Sequence, residues 1–204
     1  MAINQVQVGA PSTTSNADGA TPYQLGGKAA EGIVAELHGK WYTAAYRGRV
    51  FHGASAAAGV TLARDSTTST TFLLANPLGS GVNVEIISAD LGMLGTTSVI
   101  GTVGLACNVQ TPTATTQITS TVVAGLIGGG GVNQAKLYSS ATITAITVLW
   151  PMFQIQTTAD TADSNHYDFD GKLILGQGAV AHYWSNPVQT QAMVPALDWA
   201  EWPL

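Results

Sequence analysis

The chain has 204 residues, of which 46% are hydrophobic and only 9% charged, and its formal net charge is −5. Soluble proteins carry about 25% charged residues, so this deficit implies a neutral, hydroxyl-rich surface suited to packing against copies of itself or a larger assembly. The acidic balance argues against a nucleic-acid binder, which needs clustered Lys and Arg: Lys28, Lys40, Arg47, Arg49 and Arg64 fall in the first third, Lys136 and Lys172 follow, and no basic run occurs.

This length suits one large domain. Cys107 is the sole cysteine, which rules out an intrachain disulfide and a cysteine-rich metal site and reads as a small buried hydrophobe. The N-terminal stretch MAINQVQVGAPSTTSNADG lacks a basic segment followed by an apolar core, and nothing approaches the ~18 apolar residues of a membrane span. The expectation is therefore a protein made in a cytoplasm, with no membrane partner.

Residues 9–32 are rich in Gly, Ser, Thr, Ala and Pro and cannot bury enough surface to fold alone. Residues 1–32 are read as an extended N-terminal arm and residues 33–204 as an all-β domain. Candidate strands follow at 34–37, 41–51, 60–63, 71–75, 82–91, 99–106, 117–123, 137–148, 154–157, 172–175, 179–184 and 192–199. They are rich in Val, Ile, Thr, Leu and aromatics and are separated by Gly, Pro, Asn, Asp or Ser clusters. Val82, Val84 and Ile86 share one face opposite Asn83 and Glu85; Ala141, Ile143 and Ala145 share one opposite Thr142 and Thr144, an alternation that breaks at Ile146. No helix of ordinary length is predicted, so the class is a sandwich, barrel or jelly roll.

The motif Asn76-Pro77-Leu78-Gly79-Ser80-Gly81 has the glycines of a phosphate loop. It lacks a Gly-Lys-Ser/Thr and leads into strand rather than helix, so it reads as a hairpin or strand connection. The glycines at 128–131, followed by Val132-Asn133-Gln134, likewise read as a loop. Asp160, Asp163, Asn165, Asp168 and Asp170 suggest calcium ligands, but an EF-hand register puts His166 at its first position and Gln177 at the bidentate Glu, so a solvated loop is expected and no metal. His38, His52, His166 and His182 lack zinc spacing and read as isolated residues. No serine elbow occurs, and Cys107 sits in GLACNV without a local sign of activation. No catalytic or cofactor-binding residue is assigned, and the protein is read as not an enzyme. Trp41, Tyr42 and Tyr46, or Tyr183 and Trp184, could stack on a sugar; in a sandwich such aromatics more often fill the core or an interface. Trp199, Trp202 and Pro203 suggest a final strand pinned by aromatic burial.

The stretches YTAAYRGRVFHGASAAAGVTL (42–62), LLANPLGSGVNVEIISADLGML (73–94) and KLILGQGAVAHYW (172–184), with the ending LDWAEWPL, together resemble the small structural proteins that decorate or cement tailed-bacteriophage capsids. In that family an aliphatic strand leads through an N-P-x-G-S-G type turn to a second one, and the chain stops soon after W-x-E-x-P. The resemblance covers most of residues 42–204 and leaves out the arm and the acidic stretch. It implies a β-sandwich of jelly-roll type on the capsid exterior of the virion, bound to the major capsid protein and to itself as a dimer or trimer, with no cofactor. Strand edges, the arm and long loops would then be the contact surfaces. The alternative from another class is a carbohydrate-binding jelly-roll module of a phage tail or fibre, suggested by the aromatics and the loop at 128–134.

Overall fold

The computed structural model of the protein describes residues 6–8, 24–26, 40–62, 69–94, 100–118, 122–128, 131–143, 148–155, 164–189 and 191–204. The chain divides into two compact units, Met1–Lys40 and Trp41–Leu204. In the first, β1 (Val6–Val8) runs parallel to β2 (Gln24–Gly26), Val6 beside Gln24. The strand expected at 34–37 lies outside the described residues.

The second unit is an all-β sandwich. After a one-turn helix α1 (Tyr42–Tyr46) come β3 (Val50–Ala54), β4 (Ser69–Ala75), β5 (Val82–Met93), β6 (Gly101–Val109), β7 (Thr113–Ile118) and β8 (Val122–Ala124). They are followed by β9 (Lys136–Ile143), β10 (Val148–Ile155), β11 (Ser164–Asp168), β12 (Ile174–Leu175), β13 (Ala179–Asn186) and β14 (Met193–Pro203). One sheet has the order β11-β5-β14-β3-β8, with β12 also on β5; the other has the order β10-β6-β13-β4-β9-β7. Every pairing within these two sheets is antiparallel. Between the sheets lies a core that includes Phe51, Phe72, Ile86, Leu105, Phe169 and Trp199.

The expected alternation holds in β5 only as far as Ile86. Trp199 of β14 pairs with Ile86 while Asp198 pairs with Ser88, so Ile87 is an extra residue, a β-bulge. Ahead of it Val82, Val84 and Ile86 point into the core; beyond it Ala89 and Leu91 do. The bulge shifts the side-chain phase by one and turns Ser88 and Asp90 to the outer face.

The Asn76–Gly81 motif is a strand connection and not a hairpin, because β4 and β5 belong to different sheets. Asn76 holds this corner from inside: its buried side-chain amide donates to the carbonyl oxygens of Val82 (2.9 Å) and Leu175 (3.0 Å). Its backbone N–H donates to Ala179 O at 2.9 Å, and its carbonyl accepts from Gly178 N–H at 2.7 Å. Gly79 and Gly81 have φ of 79° and 74°, which a side chain would strain.

Tyr183 ties the two sheets together. It is fully buried on β13, and its hydroxyl lies 2.9 Å from Asp90 O on β5 and 2.8 Å from Ala196 O on β14, two carbonyls of the opposite sheet. The six-stranded sheet also curls. From β6 to β7 its path crosses four strand spacings, about 19 Å if flat, whereas the four Cα steps from Val109 to Thr113 span at most about 15 Å. On the outer face of this sheet Leu73, Ala75, Ala141, Ile143 and Val180 form a second buried cluster. His182, in register with Leu73, is fully buried on the same face.

Several expected elements differ. The strand expected at 41–51 starts as α1: helix-favouring Ala44 and Ala45 allow the turn, and Gly48, at φ 67°, ends it before β3. The strand expected at 117–123 is two, β7 and β8, in different sheets. That expected at 137–148 is described as β9 up to Ile143, with 144–147 outside the described residues, and β10, from Val148 to Ile155, includes the described start of the one expected at 154–157. Of the strand expected at 60–63, residues 60–62 are described and form an isolated bridge, Val60 to Met193, and residue 63 lies outside the described residues. Residues 164–168, expected as loop, form β11.

Glu201 of β14 is 5% exposed, and its carboxylate accepts hydrogen bonds from Gln134 N–H (2.7 Å), Ala135 N–H (2.9 Å) and the Trp199 indole (3.1 Å). It fixes the entry to β9. Glu201→Ala leaves three donors without this acceptor and is expected to destabilise the fold by about 3 kcal/mol, with Glu201→Gln costing less; urea denaturation measures both. His182 gives a second expectation. Its Nδ1 donates to Tyr183 O at 3.2 Å, its Nε2 has no partner among the described residues, and burial lowers its pKa from 6.5 to about 4. The unfolded chain then takes up this proton first, so stability is full above pH 6.5 and falls toward about pH 4. Replacing His182 with Leu should flatten that part of a pH–stability curve.

Candidate functional site

Two surfaces stand out, one apolar and one polar. The apolar one is built by strand ends. Ala75 of β4, Val109 of β6, Ala179 of β13 and Lys136 of β9 close one end of the six-stranded sheet. Val82 of β5, Pro203 of β14 and Val50 of β3 close the adjoining end of the other. At this end lie Leu78 (76% exposed), Val109 (77%), Ile127 (79%), Val132 (78%) and Leu204 (74%), the most exposed large apolar side chains among the described residues.

Local packing holds these groups in place. Leu204 N–H donates to Gly81 O at 3.1 Å, and Gly125 N–H donates to Val50 O at 2.7 Å. Gly131 lies so close to Gly48 that a Cβ on Gly131 would stand 2.7 Å from Gly48 O. Gly131 thus packs on the turn after α1, the helix that carries Tyr42 and Tyr46 with their rings stacked at 6.1 Å and exposed. Such a cluster of exposed apolar side chains is what a protein contact surface requires.

The polar surface is the outer face of the β11-β5-β14-β3-β8 sheet. Asp168, Ser88, Asp198, His52 and Val123 form one lateral row across β11, β5, β14, β3 and β8; His166, Asp90, Ala196 and Ala54 form the next. Asp198 Oδ1 lies 2.6 Å from His52 Nδ1, and its Oδ2 accepts from Ser88 Oγ at 2.7 Å. His166 Nδ1 lies 2.7 Å from Asp90 Oδ1, and its Nε2 lies 3.2 Å from Asp168 Oδ1.

The hydrogen bond to Asp198 raises the pKa of His52 against the opposing effect of burial. Burial pushes Asp198 up, but the bonds from His52 and Ser88 hold it below its ordinary value. Ser88, His52 and an aspartate meet here without forming a nucleophile relay. Such a relay needs the imidazole on the serine, whereas both groups here bond to the carboxylate.

His52 and His166, expected to be isolated, are therefore paired, while His182 stands apart in the interior. The pairings escape a sequence reading because 146 and 76 residues separate the partners. Asp168 belongs to this face, and Asp170, at φ 50°, forms with Gly171 the tight turn after β11. Asn165 sits on β11; Asp160, Asp163 and His38 lie outside the described residues. Among the described residues no group of three or more His, Cys, Asp or Glu could hold a metal ion. Burial lifts the Cys107 thiol to about 11, so it stays protonated and unreactive near neutral pH. Tyr183 and Trp184 are buried and form no sugar platform; Trp199 fills the core beside Phe51, and Trp202 donates to Glu85 at 2.8 Å.

Asp198→Asn removes the charge that holds the His52 proton. The His52 pKa, followed by NMR of its ring, is expected to fall toward or below 6.5; an unchanged value would mean that another group controls it.

Comparison of the chain with protein-family models, with curated proteins and with solved structures finds no match in any of the three.

Proposed function

We propose that this protein is a structural component of a tailed-phage virion that decorates and cements the outside of the capsid, with its apolar end as the docking surface. The observation that carries the reading is the gathering of Leu78, Val109, Ile127, Val132 and Leu204 at one end of the sandwich. A contact of this size is modest, but repeated across a lattice it gains strength through avidity.

The strand edges are less suitable. β8 has three residues, β10 carries Pro151 and a register break, β7 has two register breaks, and β11 is short and charged. These are the devices by which sheets avoid pairing with other chains. The strand order supports a jelly-roll reading of the sandwich. The series β3-β14-β5-β11 and β4-β13-β6-β10 follow the alternation of an eight-stranded double Greek key, with β7, β8 and β9 inserted between its fourth and fifth strands.

The stacked, exposed Tyr42 and Tyr46 favour a second reading, a glycan-binding module of a tail or fibre. Quantitative mass spectrometry of purified particles separates the two. A fixed, lattice-scale ratio to the major shell protein is expected for decoration; a few copies would favour the tail, and none would overturn both. Ile127→Asp combined with Val132→Asp should leave thermal stability nearly unchanged, since both side chains face solvent, and should weaken retention on particles.

A further inference from the structure

His166 sits on β11, an edge strand of the β11-β5-β14-β3-β8 sheet, with a carboxylate at each ring nitrogen. A neutral imidazole donates from one nitrogen only and presents a lone pair at the other. Both bonds therefore exist together only in the imidazolium form. One of them, to Asp90, crosses from β11 to β5; the other returns to Asp168 on β11 itself.

We propose that His166 is a proton-operated latch that holds the edge strand β11 against β5. Below the pKa of His166 the charged ring joins both carboxylates. Above it the ring keeps a single N–H, one carboxylate faces a lone pair, the charge attraction to both is lost, and the Ser164–His166 end of β11 loosens. Phe169, fully buried, and Tyr167, whose hydroxyl accepts from the Trp150 indole at 3.2 Å, keep the other end anchored. Fraying thus uncovers the β5 backbone near Asp90–Gly92, where Ser164–His166 pair.

The ionisable groups around His166 agree with this. Asp90 and Asp168 bond it, while Asp198 and His52 lie on the two strands beyond β5, and Glu85 is farther along the same face. No Lys or Arg occupies an outward strand position of this face among the described residues. The hydrogen bond His166 donates to Asp90, with the charges of both aspartates, accordingly raises the His166 pKa above 6.5. The latch is closed at mildly acidic pH and opens as the pH rises through that raised value.

Amide hydrogen exchange of the intact chain from about pH 5.5 to about pH 8.5, expressed as protection factors, tests this. Protection in β11 should fall roughly fivefold as His166 deprotonates, the order expected of an exposed ion pair. His166→Asn should give the low value at every pH, and Asp168→Asn should reduce the pH dependence. Protection in β11 that stays flat with pH in the unmodified chain, or a step that survives His166→Asn, would overturn the proposal.

Discussion

The bulge at Ile87 is the constraint from which much of the second unit follows. A strand that buries alternate residues must keep its phase, and in β5 the run Val82, Val84, Ile86 would continue to Ser88 and Asp90. That would put a hydroxyl and a carboxylate into the core. The extra residue sends Ala89 and Leu91 inward instead and leaves Ser88 and Asp90 outside. The face on which Asp198 meets Ser88 and His52, and on which Asp90 meets His166, exists because of that one insertion. The Tyr183 hydroxyl reaches the backbone of the same region, Asp90 O and its register partner Ala196 O, so the other sheet braces the strands just beyond the bulge.

At the opposite end of β5 the C-terminal strand has the same organising part. Trp199 fills the core, Glu201 receives the backbone of Gln134 and Ala135, and Trp202 reaches Glu85. The closing WAEWPL therefore anchors strands from both sheets, and Leu204 continues past them into solvent beside Gly81. The apolar end combines strand ends, at Val109 and Leu204, with connections, at Leu78, Ile127 and Val132, next to which backbone contacts such as Gly125 N–H to Val50 O hold the chain. A docking surface held this way loses less conformational entropy when it binds.

The strand content and the turn at Asn76–Gly81 were legible because apolar alternation and Asn-Pro-Gly chemistry act over a few residues. The start of the β5 pattern was legible for the same reason, and its break at Ile87 was not, since a bulge is defined by the partner strand. Residues 160–171 misled in a specific way. Their polar composition reads as loop, yet Tyr167 and Phe169 pack at the core and Asp170-Gly171 is a left-handed turn pair of the kind that joins strands. The aromatic residues and the Asp-Gly pair were the available signal. The His–Asp pairs and the apolar end gave none, because each joins residues brought together only by the antiparallel ladder.

The three described histidines show how one side chain acquires opposite behaviour from its surroundings. His182 is fully buried on the outer face of its sheet, with Tyr183 O its hydrogen-bond partner among the described residues, so burial expels its proton. His52 and His166 lie on the open face of the other sheet with carboxylates at hydrogen-bond distance, so their protons are retained. Their contributions to stability run in opposite directions with pH. The interior histidine weakens the fold as the pH falls below 6.5, whereas the surface pairs support it there and are lost as the pH rises through their raised values. The consequences differ in reach as well. Protonating His182 places an unpaired charge in a packed interior and opposes the whole fold, while deprotonating His166 removes one exposed attraction at an edge strand. Acid therefore acts on the whole fold through His182, and mild base on the exposed pairs of His52 and His166, a division set by which sheet face each histidine occupies.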